Sequence, residues 1–275
     1  MKHVSFYIIH NNSEDRSYLR NRLQKLANKL NIDLIEIYKQ RKNLKIKFSL
    51  KYKIIILRTY FLRNFYDLRH KKDFSFRFVF LLLNYFFKLT KYTINIVFKS
   101  RDEVIKAYKH IRIESLVTQK HIRAWRHFIK SEKEILIVFE DDAICKKDTE
   151  GRLKNLLKKL NNFNLDNIFI DLAGGYKIKE IIPSTKIKKI KDKFFIIEGI
   201  YTNTACSYLI NRNLILKLFE EYQKSKLHNS LPIDHLINKL GLRINRSLNT
   251  SSIHYSKPLF THGSFKGNIK SWQLY

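Results

Sequence analysis

The order of hydrophobic patterns at the start of the chain constrains the fold more than any other feature. Val4 to Ile9 is a run of β-forming residues, and Asp15 to Leu30 has apolar residues at three- and four-residue spacing, which is typical of an amphipathic helix. Ile32 to Tyr38 then alternates as a second strand does. A strand, a helix and a strand in this order predict a parallel pair of strands covered by a helix, the unit from which α/β proteins are built.

The rest of the 275 residues continues this alternation, and its last 25 residues are predicted to be rich in loops. Further elements are predicted as a strand at Ile135 to Phe139, a helix at Asp148 to Leu160, a strand at Ile168 to Leu172, a strand that becomes a helix at Tyr208 to Tyr222, and a short helix at Pro232 to Leu240. Two strand candidates flank Pro183. No apolar run reaches the roughly 20 residues that cross a bilayer. The length suits one α/β domain spanning residues 1–275.

Residues 39–101 differ from their surroundings. They hold 17 Lys and Arg against only Asp67 and Asp73, so they supply half of the formal net charge of +30, and aromatic residues are interleaved throughout. We predict that they form a basic, aromatic-rich insertion within the domain. We favour peripheral contact with an anionic membrane, ahead of a helical subdomain whose rings form a core, and ahead of binding to single-stranded nucleic acid.

The strand predicted at Ile135 to Phe139 ends in Glu140, Asp141 and Asp142. These carboxylates therefore lie at the carboxyl end of a strand, where α/β sheets bind ligands. Such a cluster repels itself unless a cation offsets its charge. Mn²⁺ or Mg²⁺ prefers carboxylate and phosphate oxygens, so a divalent metal ion is the predicted cofactor. Capping of a helix or salt bridges to neighbouring lysines remain the alternative.

The chain contains two cysteines, Cys145 and Cys206. They are too few for a disulfide framework and lack the spacing of metal ligands, so we predict a reducing compartment and no catalytic cysteine.

Several separated segments resemble glycosyltransferase family 25, the lipopolysaccharide-type galactosyltransferase family. Each matches a stretch of the family pattern in the same order: Val4 to Ile9 with the pair Asp15-Arg16, the spacing of Glu114, His121 and Trp125, the acidic run Glu140-Asp141-Asp142, Thr204 to Ile210, Leu231 to Asp234, and Lys257 to Phe260 followed by Gly263-Ser264. The chain departs from the pattern at Leu116, Val117 and Lys120, where Gly, Cys and Ser are expected, and at His262, where the family often has Gln.

The resemblance implies an α/β fold of the GT-A type, a nucleotide-sugar-binding sandwich with a mostly parallel central sheet. It also implies roles for particular residues. Asp142 would bind the metal directly, helped by Glu140, and Glu140, Asp141 and Arg16 would bind the donor, although Arg16 could instead be a solvated residue at the start of a helix. Independently of the resemblance, His262 and His254 are candidates for the metal or the diphosphate because a neutral imidazole can contact either, and ordinary surface histidines are the alternative. Gly174 and Gly175 could let the backbone approach the donor sugar or simply form a turn. Asp234 would be the catalytic base or a helix cap, and His121 and Trp125 would contact the acceptor or pack.

The expected function is that of an inverting glycosyltransferase. It would move a hexose, galactose foremost, from a UDP-sugar to a lipid-linked or oligosaccharide acceptor in the synthesis of lipopolysaccharide, lipooligosaccharide or another surface glycan. The expected location is cytoplasmic, peripheral on the inner face of a bacterial inner membrane. Two alternatives stay open: a nucleic-acid-binding protein that uses the basic segment, and a catalytically inactive relative of the transferases.

Overall fold

The computed structural model describes residues 3–38, 47–69, 76–160, 166–176, 178, 187–191, 194–245, 247–265, 267 and 269. The described strands are β1 (Val4–His10), β2 (Leu34–Tyr38), β3 (Ile135–Glu140), β4 (Ala143–Cys145), β5 (Ile168–Asp171), β6 (Ile187–Lys191), β7 (Phe194–Glu198), β8 (Ser207–Asn211), β9 (Ser251–Tyr255) and β10 (Phe260–His262). The described helices are α1 (Ser17–Leu30), α2 (Leu50–Arg69), α3 (Phe76–Phe98), α4 (Arg101–Ile129), α5 (Thr149–Leu160), α6 (Arg212–Gln223) and α7 (Ile233–Ile244). Two short 3-10 turns lie at Glu14–Arg16 and Lys226–Ser230.

The central sheet has eight strands in the order β2-β1-β3-β8-β5-β9-β7-β6. The pairings β1 with β2, β1 with β3 and β5 with β9 are parallel, whereas β8 and β7 run antiparallel to both of their neighbours. Six of the eight strands therefore point in one direction. The strands β4 and β10 form a separate antiparallel pair. The predicted α/β class is confirmed, and the sheet is mixed because β8 and β7 are reversed.

Helices cover both faces of this sheet. Alternate side chains of β1 point to opposite faces, as the period of a strand requires. Phe6 and Ile8 pack in one core with α1 and α5, while Tyr7 and Ile9 pack in a second core with α4, α6 and α7. Because both faces are covered, the middle of β3 is buried throughout, and its polar residues come only where the strand ends.

Most predicted elements are confirmed within a few residues, and the carboxyl-terminal segment differs from its prediction. The segment expected to be rich in loops contains β9, which lies inside the sheet between β5 and β7. Ser251, Ser252 and His254 give it little of the apolar character of a central strand, so its pairing is decided by tertiary contacts. Residues 179–186, which include Pro183, lie outside the described residues.

The elements described within residues 39–101 are helices, because α2 and α3 both lie entirely in this segment and α4 begins at its last residue. The stacked pairs Tyr60–Tyr92 and Tyr52–Tyr108 join α2 to α3 and to α4, with ring centroids 3.5 and 3.9 Å apart. Part of the aromatic content is therefore a small core. Among the described residues, no helix combines the length and the apolar character that a membrane span requires. The status of this segment as an insertion stays a prediction.

Gly241 provides a test of the packing between α7 and the sheet layer. A Cβ at this position would lie 2.5 Å from Ile200 Cβ and 3.1 Å from the Ile200 carbonyl oxygen, neither of which can move freely. We expect Gly241→Ala to lower the free energy of unfolding by about 1–3 kcal/mol through overpacking. Urea denaturation followed by circular dichroism measures it.

Gly151→Ala is the matched control, because Gly151 is an exposed residue of α5 and a Cβ there would meet nothing within 4 Å. Replacing a helical glycine by alanine should raise stability by about 0.5–1 kcal/mol. Equal effects of the two substitutions would contradict the described contact between Gly241 and Ile200.

Candidate active site

A cleft of about 480 Å³ opens at the carboxyl ends of β1 and β3. Several separate parts of the chain line it, namely Arg16, the segment Ile113 to Val117 of α4, Glu140 with Asp142, Tyr176, Thr204, Pro232 to His235, and His262 to Phe265. The chain leaves the buried part of the sheet at the end of β3, and there Glu140 and Asp142 face the cleft. The predicted residues Arg16, Glu140, Asp142, Asp234 and His262 are thus brought together in one cleft.

The three acidic residues have different environments, and Asp141 is the one that points inward. Its Oδ1 accepts a hydrogen bond from Arg16 Nη1 at 2.5 Å, and both side chains are almost completely buried. Burial raises the pKa of Asp141 to about 7 although the positive charge of Arg16 opposes the shift. Asp141 does not line the cleft. It positions Arg16, whose side chain does.

Asp142 is held by groups that favour its charged form. Its Oδ2 accepts a hydrogen bond from Ser264 Oγ and lies 3.2 Å from His262 Nε2, while Cys206 Sγ donates to Oδ1 at 3.5 Å. Burial disfavours this carboxylate, but the hydrogen bond and charge of His262, the hydroxyl of Ser264 and the charge of Arg16 outweigh burial and lower its pKa to about 2. Asp142 is therefore an anion at neutral pH.

The same groups fit a divalent cation. One oxygen of Asp142, Cys206 Sγ and a ring nitrogen of His262 lie within 4.8 Å of one another. Burial raises the pKa of the Cys206 thiol well above its usual range, and the nearby charge of Asp142 adds to the shift, so the thiol is a poor ligand. An ionised carboxylate and an imidazole remain, with the cleft open beside them. This set suits Mn²⁺, which accepts oxygen and imidazole ligands.

Glu140 faces the cleft at the end of a line of buried hydrogen bonds. Trp125 Nε1 donates to the Tyr208 oxygen at 2.9 Å, the Tyr208 hydroxyl lies 3.0 Å from His121 Nδ1, and His121 Nε2 lies 3.1 Å from Glu140 Oε1. Because Tyr208 already accepts from Trp125, its own proton is free for Nδ1, which leaves the Nε2 proton of a neutral His121 for Glu140. The line fixes the orientation of the Glu140 carboxyl group.

Burial also sets the charge states along this line. Burial, with the charge of Lys120, lowers the pKa of His121 to about 3, so the ring is neutral. Burial and the negative charge of Asp142 raise the pKa of Glu140 to about 8. A cation beside Glu140 and Asp142 would offset that repulsion. His121 and Trp125 are fully buried and are not among the residues that line the cleft.

Asp234 lies at the start of α7 and lines the cleft. Its Oδ1 accepts a hydrogen bond from the backbone N–H of His235 at 2.8 Å, a contact with the adjacent residue. The cap position of α7 is Pro232, where no side-chain cap forms. Asp234 is half-buried, and its carboxylate remains accessible from the same space as Asp142 and His262.

A second cleft of about 600 Å³ adjoins the first, and Tyr176 lines both. Gly174 and Gly175 line this second cleft together with His254. Gly174 has a φ of +27°, and a Cβ on Gly175 would lie 2.6 Å from Thr204 Cγ2, so both positions suit glycine. His254 is buried, with Nδ1 3.9 Å from Asp171 Oδ2, and it does not line the cleft that contains Asp142.

Residues 118–237 match the model of glycosyltransferase family 25 (LPS biosynthesis protein). The predicted resemblance is confirmed over these residues, which indicate a glycosyltransferase of lipopolysaccharide biosynthesis. The family 25 segment contains the acidic cluster, the buried line from Trp125 to Glu140, and Asp234. Arg16 and His262 reach the cleft from outside the matched residues. None of the curated proteins compared with the chain matches it.

Asp171 is an organising residue of the family 25 segment that the sequence analysis did not single out. Its carboxylate accepts hydrogen bonds from the backbone of Ala173 and Gly174 and from Thr202 Oγ1 and the Asn203 N–H, at 2.6 to 3.2 Å. Two loops are thereby tied together at the end of β5. The position of Asp171 at the end of a predicted strand is the same signal that drew attention to Glu140 and Asp142.

Three further residues were missed, Cys206, Tyr208 and Ser264. They reach Asp142 and His121 from distant parts of the chain. All three lie in stretches that resemble the family pattern, which was the available signal, but the resemblance gave them no role. The loop before β8 carries one structural sign of a functional site: Thr204 and Ala205 have φ values of 91° and 52°. A β-branched residue in this region is strained, and such strain concentrates where a site requires it. Thr204 Oγ1 lies 3.1 Å from His262 Nδ1.

Tyr208→Phe tests the buried line that ends at Glu140. The substitution removes the only hydroxyl between Trp125 Nε1 and His121 Nδ1, and buried polar groups left without partners cost about 1–3 kcal/mol. We expect a stability loss of that size in urea denaturation. We also expect Mn²⁺ affinity, measured by calorimetry, to fall about 10-fold, because residues that orient a metal site affect its affinity by 10- to 100-fold.

Tyr7→Phe is the control for this experiment. Tyr7 OH makes a comparable hydrogen bond, 2.8 Å to His127 Nδ1, away from the cleft. Its loss should destabilise the protein without changing Mn²⁺ affinity. If both variants bind Mn²⁺ as the wild-type protein does, Tyr208 has no role in positioning Glu140.

Proposed function

We propose that the protein is an inverting glycosyltransferase that moves a hexose, galactose foremost, from a UDP-sugar to a hydroxyl group of a saccharide acceptor. The acceptor belongs to lipopolysaccharide, lipooligosaccharide or a related surface glycan. The observation that carries the proposal is the convergence of Asp142, His262 and Asp234 on one cleft, within or beside a segment that matches family 25. That cleft holds an anionic ligand set and a separate carboxylate, the two components that such a transfer requires.

The donor would be bound at the end of β3. Asp142 and His262, with Glu140 beside them, would hold Mn²⁺ or Mg²⁺, and Arg16 offers a guanidinium group to the diphosphate. When bound, the ion offsets the charge that develops on the departing nucleoside diphosphate. Asp141 holds the Arg16 guanidinium in place through their buried ion pair. Gly174 and Gly175 would allow the backbone to approach the donor in the adjoining cleft.

The acceptor would be activated by Asp234. Its carboxylate takes the proton of an acceptor hydroxyl group, and the oxygen attacks the anomeric carbon as the bond to the diphosphate breaks. Attack from the face opposite the leaving group inverts the configuration at that carbon. Asp234 suits this role because it lines the same cleft as Asp142 and is only half-buried. One of its oxygens accepts from the His235 N–H, and the other is left for the acceptor hydroxyl group. His121 and Trp125 act in this scheme by positioning Glu140 from within the core.

The reaction would take place at the cytoplasmic face of a bacterial inner membrane, where a lipid-linked saccharide is presented as acceptor. The support for this location is the charge of the chain. Of its formal charge of +30, half comes from residues 39–101. Such a charge attracts the anionic lipids of that leaflet.

Asp142→Asn tests the metal site. The substitution keeps the size of the side chain but removes the charge, so we expect Mn²⁺ affinity and Mn²⁺-dependent release of UDP from a UDP-hexose to fall about 100-fold or more. Calorimetry and a coupled assay for UDP measure the two effects. Asp148→Asn, which alters an exposed carboxylate beside Arg152, should change neither. Unaltered metal affinity in Asp142→Asn would exclude Asp142 as a ligand.

Asp234→Asn tests the base. We expect transfer to a saccharide acceptor to fall about 10²- to 10⁴-fold, the range that general base catalysis contributes, while Mn²⁺ and UDP binding stay within about twofold of the wild-type values. Glu220→Gln on the exposed face of α6 is the charge-matched control and should transfer normally. Full transfer by Asp234→Asn would rule out the base role. Absence of UDP release from every UDP-hexose in the wild-type protein would instead identify an inactive relative.

A further inference from the structure

Helix α3 has two apolar faces, and only one of them is buried. Tyr85, Leu89, Tyr92 and Ile96 recur at intervals of three and four residues and form its inner face. They pack against α2 and α4, where Tyr92 stacks on Tyr60 and Ile96 joins a small core with Ile56 and Val104. This face accounts for the packing of α3 on the protein.

The opposite face of α3 is also apolar and is exposed. Its large residues follow helical spacing and are Leu83, Phe86, Phe87, Ile94, Val97 and Phe98. At 100° per residue they all fall within about 60° of one line along the helix, and they extend over about 22 Å. Their exposure is high: Phe87 is 70% and Phe98 is 83% exposed. We call these six residues the outer stripe.

Exposed apolar side chains are concentrated in this part of the molecule. Of the thirteen exposed large hydrophobic residues that the structure describes, nine lie in α2 and α3. Two others, Tyr176 and Phe265, border the active-site cleft, so their exposure has a separate explanation. Helix α2 contributes Leu50, Ile54 and Phe61, again at helical spacing. On α3 these side chains form one stripe along the helix, and an exposed apolar stripe of this kind marks a site of interaction.

Basic residues lie along one side of the outer stripe. Lys88 and Lys91 are exposed on the side of α3 next to the stripe, and Lys51 and Arg58 are exposed in a corresponding position on α2. Residues 39–101 carry 17 basic residues and two acidic ones, a net charge of +15. A second copy of this face would be repelled by its charge, whereas an anionic surface would be attracted. The apolar stripe with basic borders matches the pattern of a helix that lies in the plane of a membrane interface.

We propose that the outer stripe of α3 docks on an anionic lipid bilayer. The helix lies along the surface, with Phe87, Ile94 and Phe98 inserted at the boundary between headgroups and acyl chains and with Lys88 and Lys91 against lipid phosphates. The proposal deepens the proposed function by identifying the surface through which a lipid-linked acceptor would be approached, and it rests on that function only for this consequence. Docking itself requires no turnover.

Flotation of the full-length protein with phosphatidylglycerol vesicles tests the surface. We expect wild-type protein to bind these vesicles and to bind phosphatidylcholine vesicles at least 10-fold more weakly. Phe87→Ser combined with Ile94→Ser should weaken binding to phosphatidylglycerol at least 10-fold, because it removes inserted apolar area. Lys88→Gln combined with Lys91→Gln should weaken it about 10- to 30-fold at low salt, since each lysine near an anionic surface contributes about fivefold.

Matched variants separate this surface from general effects of charge and hydrophobicity. Tyr18→Ser removes an exposed aromatic ring from α1, and Lys158→Gln combined with Lys159→Gln removes two exposed charges from α5. Neither should alter vesicle binding. Circular dichroism and UDP release should be measured without vesicles for Phe87→Ser combined with Ile94→Ser, which we call the stripe variant. Values equal to those of the wild-type protein would show that the fold and the cleft are intact.

The outcomes distinguish the docking surface from the proposed reaction. Binding that depends on the stripe supports the surface even if the wild-type protein releases no UDP, a result that would count against the reaction alone. Equal vesicle binding by the stripe variant and the wild-type protein overturns the proposal. So does a wild-type dimer that becomes monomeric in the stripe variant without vesicle binding, or stripe-dependent binding to single-stranded RNA in the absence of vesicle binding.

Discussion

The accommodation of three adjacent carboxylates at the end of one buried strand is the constraint on which the rest of the site depends. Burial disfavours each charge, and proximity adds repulsion, so each acid needs a compensating partner. Asp141 has Arg16, Asp142 has His262 and Ser264, and Glu140 has His121. These partners come from α4, from the turn before α1, and from the end of β10 with the turn that follows it. The cluster therefore determines how distant parts of the chain meet.

These partners also give the three acidic residues different roles. The buried ion pair with Arg16 turns Asp141 inward and leaves its guanidinium partner at the cleft, where phosphate could be bound. Asp142 keeps its charge because hydrogen bonds to its ionised form outweigh desolvation. Glu140 is oriented from behind by a neutral histidine and two aromatic residues. Consecutive residues in one strand end thus have three different roles, which follow from the three directions in which their side chains leave the backbone.

The sequence predicted the parts of this structure that depend on local patterns. The β-α-β opening followed from the period of its apolar residues, and the acidic cluster followed from its place after β3. Ordered matches to the family pattern predicted that Arg16 and Asp234 belong to the same site, and the ligand chemistry of imidazole made His262 a candidate although it departs from that pattern. The sequence did not predict β9, whose polar residues lie in the sheet because β5 and β7 pair with it. Nor did it predict Tyr208, Cys206 or Ser264, whose roles exist only through contacts made across the fold.

Helix α4 connects the cleft with the part of the protein that carries the outer stripe. Near its start, Val104 and Tyr108 pack with α2 and α3, and further along the same helix Glu114 and Val117 line the cleft and His121 supports Glu140. Its 29 residues span about 43 Å as one rigid element. A capping box at Ser100 and Glu103 fixes where it begins, directly after α3 ends at Phe98. A single helix, α4, therefore connects the helices that carry the outer stripe with the acidic cluster. If the stripe on α3 binds a bilayer, α4 would hold the cleft at a defined distance from the lipid surface.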